Sequence, residues 1–368
     1  MLKLHIVQAE YGDCFIIEYG LPSKTKYILV DGGPDHIYDN HLRDQLLGIR
    51  NSGGKLDLVI LSHIDDDHII GLLDFFAELR QQRASKTPQT ISVEAIWHNT
   101  FRQTVGKEDE IENRLKTLMI NSSGARNTLA VANNTLLGIG QGNQLNTAAV
   151  ALGIPINPRS PNNLICLDDL PEPIIMDNLH LRVIGPTKEN LENLKKKWLK
   201  WLDKYEDKVA TMDPTIAAMV DKSIPNLSSI IILAEAEDKT ILLTGDGRGD
   251  NLIRGLQQAN LLSSGKLHVG VLKLPHHGSE RDVNEDFFRT ITASKYIISA
   301  NGRYGNPDLS TLSWIVETAK EQKRNIEIYI TNETPATRKL EKNFDSTAYG
   351  YRLVKMNKKA HIMTLKIA

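Results

Sequence analysis

The chain has 368 residues, 41% hydrophobic and 24% charged, which is the balance of a soluble globular protein and not of a disordered one. Forty-four Lys and Arg against 45 Asp and Glu leave a formal charge of −1, which excludes a strongly basic nucleic-acid-coating protein but leaves room for a local basic groove. Two cysteines, Cys14 and Cys166, provide neither a disulfide framework nor a Cys-based zinc finger. The start, Met1-Leu2-Lys3-Leu4-His5, lacks the apolar core of a signal peptide, and no run approaches 18 apolar residues. The expectation is a cytoplasmic protein without a membrane span.

In chain order, Leu4–Val7, Cys14–Glu18 and Tyr27–Val30 read as short strands, the last ending in Asp31-Gly32-Gly33. Leu56–Leu61 is mostly apolar, as expected of a strand covered on both faces. A helical spacing follows from Ile69 to about Gln82, with Leu72, Leu73, Phe76 and Leu79 on one side. Ile91–Trp97 predicts a further strand. Thr104–Asn163 is polar and rich in Gly and Asn, with helical pieces near Glu108–Ile120 and Gln144–Leu152, and reads as an insertion or lid. Leu179–Val183 alternates like a strand. Lys188–Lys208 is a charged helix with Lys195, Lys196, Lys197, Lys200 and Lys204, read first as a solvated face and second as a phosphate-contacting surface. Ser229–Ala234, Thr240–Thr244, Val269–Leu274, Lys295–Ala300 and Ile326–Thr331 read as strands, with helices at Asn251–Leu262 and Leu309–Gln322. Strands and helices alternate in both halves, which predicts an α/β fold.

Four of the eleven histidines fall in two clusters, each just after a predicted strand. Ser62-His63-Ile64-Asp65-Asp66-Asp67-His68 packs imidazoles and carboxylates so closely that the acids repel one another without a cation. Acids favouring a helix N-terminus explain Asp65–Asp67 but neither histidine. The second cluster is Leu274-Pro275-His276-His277-Gly278-Ser279, and Thr244-Gly245-Asp246 places a carboxylate at a third strand end. A Gly-Asp turn alone is ordinary, but three such clusters at three strand ends predict a metal site.

Together, Asp31-Gly32-Gly33, His63-x-Asp65-x-Asp67-His68, Thr244-Gly245-Asp246 and Pro275-His276-His277-Gly278-Ser279 resemble the metallo-β-lactamase superfamily. More narrowly, they resemble the hydrolase domain of ComEC-type competence proteins and its stand-alone relatives. In that branch the second histidine of His-x-His-x-Asp-His is Asp, as at Asp65, and His-His-Gly-Ser is a signature. Gly12-Asp13 and Asn226-Leu227-Ser228-Ser229 match more loosely. The resemblance spans nearly the whole chain. It implies one domain over residues 1–368, with insertions at about 104–163 and 188–221 bordering the active-site mouth. It also implies a four-layer αβ/βα sandwich of two mixed sheets.

The resemblance further implies a dinuclear site. His63 and Asp65 hold one metal, and Asp67, His68 and His277 hold the other, with Asp246 bridging. Two departures weaken the His63/Asp65 position. A further family histidine is missing, with His98 and His180 the nearest candidates, His98 as a pocket residue and His180 as an exposed strand residue. Gly305-Asn306-Pro307 also stands where many relatives have Gly-His-Pro. Zinc is the first choice for both sites and manganese the second, because three imidazoles and three carboxylates make a harder donor set than an all-histidine one.

Neighbouring side chains at a strand end point in different directions, so one of the doublet can ligate while the other faces substrate. The resemblance implies that His277 ligates, which leaves His276 as a catalytic donor. Asp67 counts as a ligand and a catalytic carboxylate. Ser279 reads as a cap or a phosphate contact, and Arg303, Tyr304, Asn306 and His98 as substrate-binding residues. Asp31 is expected to orient the metal loop. The function implied is that of a phosphodiesterase or nuclease acting on a phosphodiester, including single-stranded nucleic acid. The alternatives are hydrolysis of a choline-phosphate-type ester, lactone or thioester, and a non-catalytic module.

Overall fold

Apolar runs separated by glycine-rich turns form two sheets, seen in a computed structural model that describes residues 1–105, 110–121, 128–209 and 228–367. The N-terminal part supplies β1 (Leu2–Val7), β2 (Phe15–Leu21), β3 (Lys24–Val30), β4 (Leu56–Ile60) and β5 (Ile96–Trp97). Then come β6 (Ile174–Met176), β7 (Leu179–Gly185), β8 (Ile231–Ala236), β9 (Lys239–Leu243) and β10 (Leu267–Lys273). The last four are β11 (Ile291–Ile298), β12 (Ile326–Ile330), β13 (Tyr351–Lys355) and β14 (Ile362–Lys366).

One sheet has the order β14-β1-β2-β3-β4-β5 and the other β13-β12-β11-β10-β9-β8-β7-β6. Both are mixed. β3, β4 and β5 run parallel, as do β9 to β13, and the remaining neighbours pair antiparallel. Ile6, Phe15 and Ile60 of the first sheet share a buried cluster with Val183, Ile232 and Val271 of the second. The two sheets therefore meet face to face.

Helices cover the outer faces. α1 (Arg43–Asn51) and α2 (Asp66–Ser85) bury Leu46, Leu72, Phe75 and Phe76 against Leu29 and Val59. Next along the chain are α3 (Phe101–Val105), α4 (Glu110–Asn121), α5 (Thr128–Leu152) and α6 (Lys188–Val209). α7 (Gly249–Gln258), α8 (Glu285–Thr290) and α9 (Leu309–Glu321) close the second sheet through Leu252, Phe287 and Ile315. This is the four-layer arrangement that the resemblance implies.

The helices of the two predicted insertions pack on one another. Phe101, Ile111, Leu115, Ile139, Leu194 and Trp198 form a separate apolar cluster, with Phe101 edge-on to Trp198 at 5.9 Å. α6 is amphipathic, burying Leu191, Leu194 and Trp198 while Lys196 and Lys200 face solvent. Lys204 lies among side chains outside the described residues, as do Asn226 and Leu227 and parts of both insertions. α5 lies along Ile64: a Cβ added at Gly138 would stand 3.1 Å from the Ile64 carbonyl oxygen, and one at Gly142 3.2 Å from an Ile64 methyl. The helical insertion thus rests on the residue between His63 and Asp65. Among the described residues no helix is long and apolar enough to cross a membrane.

Candidate metal centre

Parallel strands present their C-terminal ends on one side of a sheet, which is where the chemistry-bearing loops collect. β3 ends at Asp31, β4 at the His63–His68 loop, β9 at Asp246 and β10 at His276-His277. Backbone packing fixes these loops. The Gly32 amide donates to the His68 carbonyl at 2.8 Å and the Gly71 amide to the Gly33 carbonyl at 3.0 Å. A Cβ at Gly71 would fall 2.0 Å from the Gly32 oxygen, so only glycine lets α2 dock there. The Asp13 amide donates to the Asp67 carbonyl at 3.2 Å from the other side. The Gly-Asp and Asp-Gly-Gly turns therefore clamp the first turn of α2.

Asp246 is the centre of the site, and its buried carboxylate faces imidazoles on both oxygens. Its Oδ1 lies 3.4 Å from His68 Nε2 and 3.5 Å from His277 Nε2. Its Oδ2 lies 3.8 Å from His63 Nε2 and 3.6 Å from His276 Nε2. Asp67 Oδ2 is 3.2 Å from His277 Nε2 and 3.8 Å from His68 Nε2. Asp67, His68, Asp246 and His277 offer four donor atoms within 4.8 Å of one another. Asp65 Oδ2 stands 3.6 Å from His63 Nε2. Asp65 occupies the N-cap position of α2 without its side chain accepting a capping hydrogen bond, so helix capping does not account for it.

Every histidine here is anchored through its other nitrogen. His68 Nδ1 pairs with Asp31 Oδ2 at 2.9 Å, and His63 Nδ1 with Ser62 Oγ at 3.0 Å. Ser62 Oγ and its amide both donate to Asp31 at 2.7 Å. His277 Nδ1 donates to the Ser299 carbonyl at 2.8 Å. His276 Nδ1 pairs with the buried Asp282 at 2.5 Å. In His63, His68 and His277 such anchoring leaves Nε2 without a hydrogen-bond partner.

Electrostatics follow from this crowding. Burial pushes the Asp246 carboxyl up, but His277, His276 and His68 outweigh it and hold it well below the ordinary range. Burial likewise raises Asp67, which His68 and His277 bring down to about 2. Burial opposes charge on His277, yet Asp246 and Asp13 lift it to about 10. His68 is raised well above its usual value by Asp246, Asp67 and Asp31, against burial. Carboxylates this close need positive charge beside them, and a proton or a metal cation meets that need.

The remaining predicted residues are spread around this centre. Ser279 Oγ accepts from the Arg281 amide at 3.3 Å, as a turn cap does. Asn306 Nδ2 donates to the His276 carbonyl at 3.2 Å, so it supports the doublet from behind. Arg303 and Tyr304 are exposed in the same loop, with the Arg303 guanidinium 4.5 Å above the Tyr11 ring. His98 is not brought to the centre. It is buried under α5, where its Nε2 meets the Gly142 carbonyl at 3.2 Å and burial depresses it to about 4. His180 is exposed on β7.

Sequence reasoning passed over three supporting residues. Lys273, 1% exposed, ion-pairs with Asp13, donates to the Gly245 carbonyl at 2.8 Å and stands 3.6 Å from Asp246 Oδ1. A lysine inside the apolar run Val269–Leu274 is its signal. Asp282 and Ser299 carry no signal, because each reaches its histidine only through the fold.

Residues 7–88, from the end of β1 through α2, match the metallo-beta-lactamase superfamily. No curated protein matches the chain. Among solved structures, a diphosphatase of the PhnP family is similar over 100% of this chain and 98% of its own, at 11% identity and a TM-score of 0.41. A candidate metal-dependent hydrolase from Parabacteroides distasonis is similar over 89% of this chain and 93% of its own, at 8% identity and a TM-score of 0.35.

The metallo-beta-lactamase superfamily implies a metal-dependent hydrolase holding divalent metal, commonly zinc. The residues present fit such a group. His63 Nε2, His68 Nε2, His277 Nε2 and Asp246 Oδ1 are buried without a hydrogen-bond partner, and orphaned polar atoms of this kind are rare unless something else satisfies them. Mixed imidazole and carboxylate donors suit zinc, with manganese admitted by the carboxylates.

Proposed function

We propose that the chain is a phosphodiesterase of the ComEC-like branch, cleaving single-stranded nucleic acid or a small phosphodiester with two divalent cations. The observation that carries this reading is Asp246, whose two carboxylate oxygens each face imidazole Nε2 atoms on opposite sides. His68, His277 and Asp67 would hold one cation and His63 and Asp65 the other, with Asp246 shared between them. When bound, such a pair supplies an acidified water and stabilises the attacking and leaving oxygens of a displacement. Asp31 and Ser62 keep His63 and His68 in the tautomer that leaves Nε2 free to ligate. Arg303, poised over Tyr11 at the end of the loop that also carries Asn306, supplies a cation for a phosphate, and Tyr304 offers an exposed ring for a base. The near-neutral net charge favours a short or single-stranded substrate over tight duplex binding. We also place the protein in the cytoplasm.

The test is turnover of bis-p-nitrophenyl phosphate, labelled single-stranded DNA and RNA, and cyclic nucleotides, with Zn²⁺ or Mn²⁺ added after chelation. Parallel assays use p-nitrophenyl phosphorylcholine, a lactone and a thioester. Diester cleavage that chelation removes and metal restores is the expected result. Turnover confined to the lactone, thioester or choline ester, or none on any substrate with metal bound, overturns the reading.

A further inference from the structure

We propose that Arg303 selects the substrate of the centre by receiving a second phosphate beside the scissile one. The preferred substrate is then a diester flanked by a further phosphate, as every internal linkage of a nucleic-acid strand is. This deepens the phosphodiesterase reading above and rests on it. The placement of the loop is the first ground. Residues 299–307 follow β11 and are tied at both ends to the histidine doublet. The Ser299 carbonyl accepts from His277 Nδ1 at 2.8 Å, and Asn306 Nδ2 donates to the His276 carbonyl at 3.2 Å. The Gly305 amide donates to the Gly302 carbonyl at 3.1 Å, which makes Arg303 and Tyr304 the exposed centre of a tight turn. The β1–β2 turn closes on the same loop. Ser299 Oγ donates to the Gly12 carbonyl at 2.5 Å, and Asn301 Nδ2 to Glu10 Oε2 at 2.9 Å. Gly12 in turn packs on the Asp67 carbonyl. Tyr11 and Arg303 thus stand together on one rim of the metal centre.

The second ground is the charge. The guanidinium carbon of Arg303 lies 4.5 Å from the Tyr11 ring centre and 5.5 Å from that of Tyr304, and the two rings meet edge to face at 5.4 Å. Both separations fall in the range of cation–π attraction. Arg43, Arg182, Arg289, Arg338 and Arg352 each pair with an acid. Among the described residues no carboxylate pairs with Arg303, whose side chain rests on the two rings. Stacking uses the face of a guanidinium and leaves its N–H edge free, and that edge matches the oxygens of a phosphate. The rings also fix the side chain in advance, so less rotamer freedom is lost on binding.

The third ground is what this corner rejects. Two tyrosine rings near carboxylates would suit a quaternary ammonium group, as in a choline ester. Here the guanidinium already covers the Tyr11 ring, and its charge repels a second cation. The scissile phosphate belongs to the centre itself, which leaves Arg303 for another anion. Tyr11 is the positioning residue, half-buried beneath the guanidinium. Burial raises its hydroxyl, Arg303 opposes the rise, and Tyr304, Asp67 and Asp66 add to it. Tyr11 therefore feels both the rim cation and the acids of the centre.

The experiment compares two substrates with one leaving group, thymidine 5′-(p-nitrophenyl phosphate) with and without a 3′-phosphate, and adds p-nitrophenyl phosphorylcholine as a third. Wild type is expected to favour the 3′-phosphorylated ester at least tenfold in kcat/KM, about 1.4 kcal/mol, chiefly through KM. Arg303→Gln should bring that ratio close to one. Tyr11→Leu should lower it, whereas Tyr11→Phe, which keeps the ring, should preserve it. Calorimetry without turnover should show thymidine 3′,5′-bisphosphate binding more tightly than thymidine 5′-phosphate, and Arg303→Gln should erase the difference. A wild-type ratio near one, an unchanged ratio in Arg303→Gln, equal affinities for the two nucleotides, or faster turnover of the choline ester than of the 3′-phosphorylated one would overturn the inference. Absence of metal-dependent cleavage of both thymidine esters would instead defeat the phosphodiesterase reading and the inference with it. Circular dichroism checks each variant. If Arg303→Gln does not fold, the two Tyr11 variants carry the test, and equal ratios in them overturn the proposal.

Discussion

Replacing Asp31 by Asn keeps the shape of a buried side chain and removes its ability to accept at both ends. Asp31 Oδ2 accepts from Ser62 Oγ at 2.7 Å and from His68 Nδ1 at 2.9 Å, and Oδ1 accepts from the Ser62 amide at 2.7 Å. An amide NH2 in the Oδ2 place donates instead. Ser62 Oγ, receiving that proton, must then donate to His63 Nδ1 at 3.0 Å, and the His63 ring proton moves to Nε2. His68 is reversed in the same way. If the Asn side chain turns over to avoid this, the buried Ser62 amide loses its acceptor, at about 1–3 kcal/mol. Losing the outer support of a ligand typically lowers metal affinity 10- to 100-fold, about 1.4 to 2.8 kcal/mol.

The assay is zinc competition at pH 7.5, beside thermal melting of metal-free protein. Asp31 has a φ of 58°, a conformation that Asn tolerates, so the metal-free fold should survive. Both zinc sites should weaken in Asp31→Asn, since one carboxylate governs both tautomers. Wild-type zinc affinities at both sites would refute the tautomer argument and leave Asp31 a role in the fold alone.

Gly12→Ala should cost about 1–3 kcal/mol in urea unfolding and weaken the Asp67 site, because its Cβ would sit 2.0 Å from the Asp67 carbonyl oxygen. Unchanged stability would mean that the Gly12 clamp yields freely. Lys273→Met leaves Asp13 buried without its cation and should cost about 3–5 kcal/mol, with most of the loss recovered in the Lys273→Met/Asp13→Asn double variant. A loss below about 1 kcal/mol would remove Lys273 from the account. His98 is buried neutral, with its pKa lowered from 6.5 to about 4, so below pH 6.5 the unfolded chain binds a proton that the folded one does not. Its contribution is present above pH 6.5 and is lost as pH falls toward 4, by about 2–3 kcal/mol at pH 4.5. His98→Gln should flatten that part of the stability profile, and an unchanged slope between pH 7 and 4.5 would reject the assignment.

The strands that position the centre were legible because each is an apolar run ending in a turn. Leu56–Leu61 alternates its contacts, with Leu58 and Ile60 toward the second sheet and Val59 and Leu61 toward the helices. Where pairing is irregular the pattern misleads. Ile91–Trp97 predicts a full strand, yet only Ile96–Trp97 is regular, because Ser92 and Glu94 bond Leu56 across an isolated bridge. β13 and β14 went unread: Tyr-Arg-Leu-Val-Lys and Ile-Met-Thr-Leu-Lys are short and half-exposed at sheet edges, so they lack a clear apolar face. α5 begins at Thr128, well before the Gln144–Leu152 piece visible in sequence, because its glycines at 138 and 142 are contact points on Ile64 and not breaks. The His276–His277 doublet shows a limit of another kind. Strand geometry predicts divergent neighbours, and only the φ angles of the doublet reveal that both rings turn inward.

The centre holds its acids in two different ways, and the difference explains why Lys273 and the histidines are all buried together. Asp13 has a fixed counter-ion in Lys273: burial disfavours its charge, but Lys273, His277 and His68 together more than compensate. Asp246 and Asp67 have exchangeable counter-ions, protons on His68 and His277 that a cation can replace. The first arrangement keeps the β1–β2 turn against α2 while the second is free to load and release metal. Lys273 also stands 3.6 Å from Asp246 Oδ1, so its charge competes there with any cation held by His68 and His277. The Oδ2 side has no such lysine within reach among the described contacts, and the His63 and His276 imidazoles face it alone. Repulsion from Lys273 therefore works against the Asp67/His68/His277 site, whereas greater exposure of Asp65 works against the other. Which site binds metal more tightly is thus a contest between a buried fixed charge and solvent access, and a count of donor atoms does not decide it.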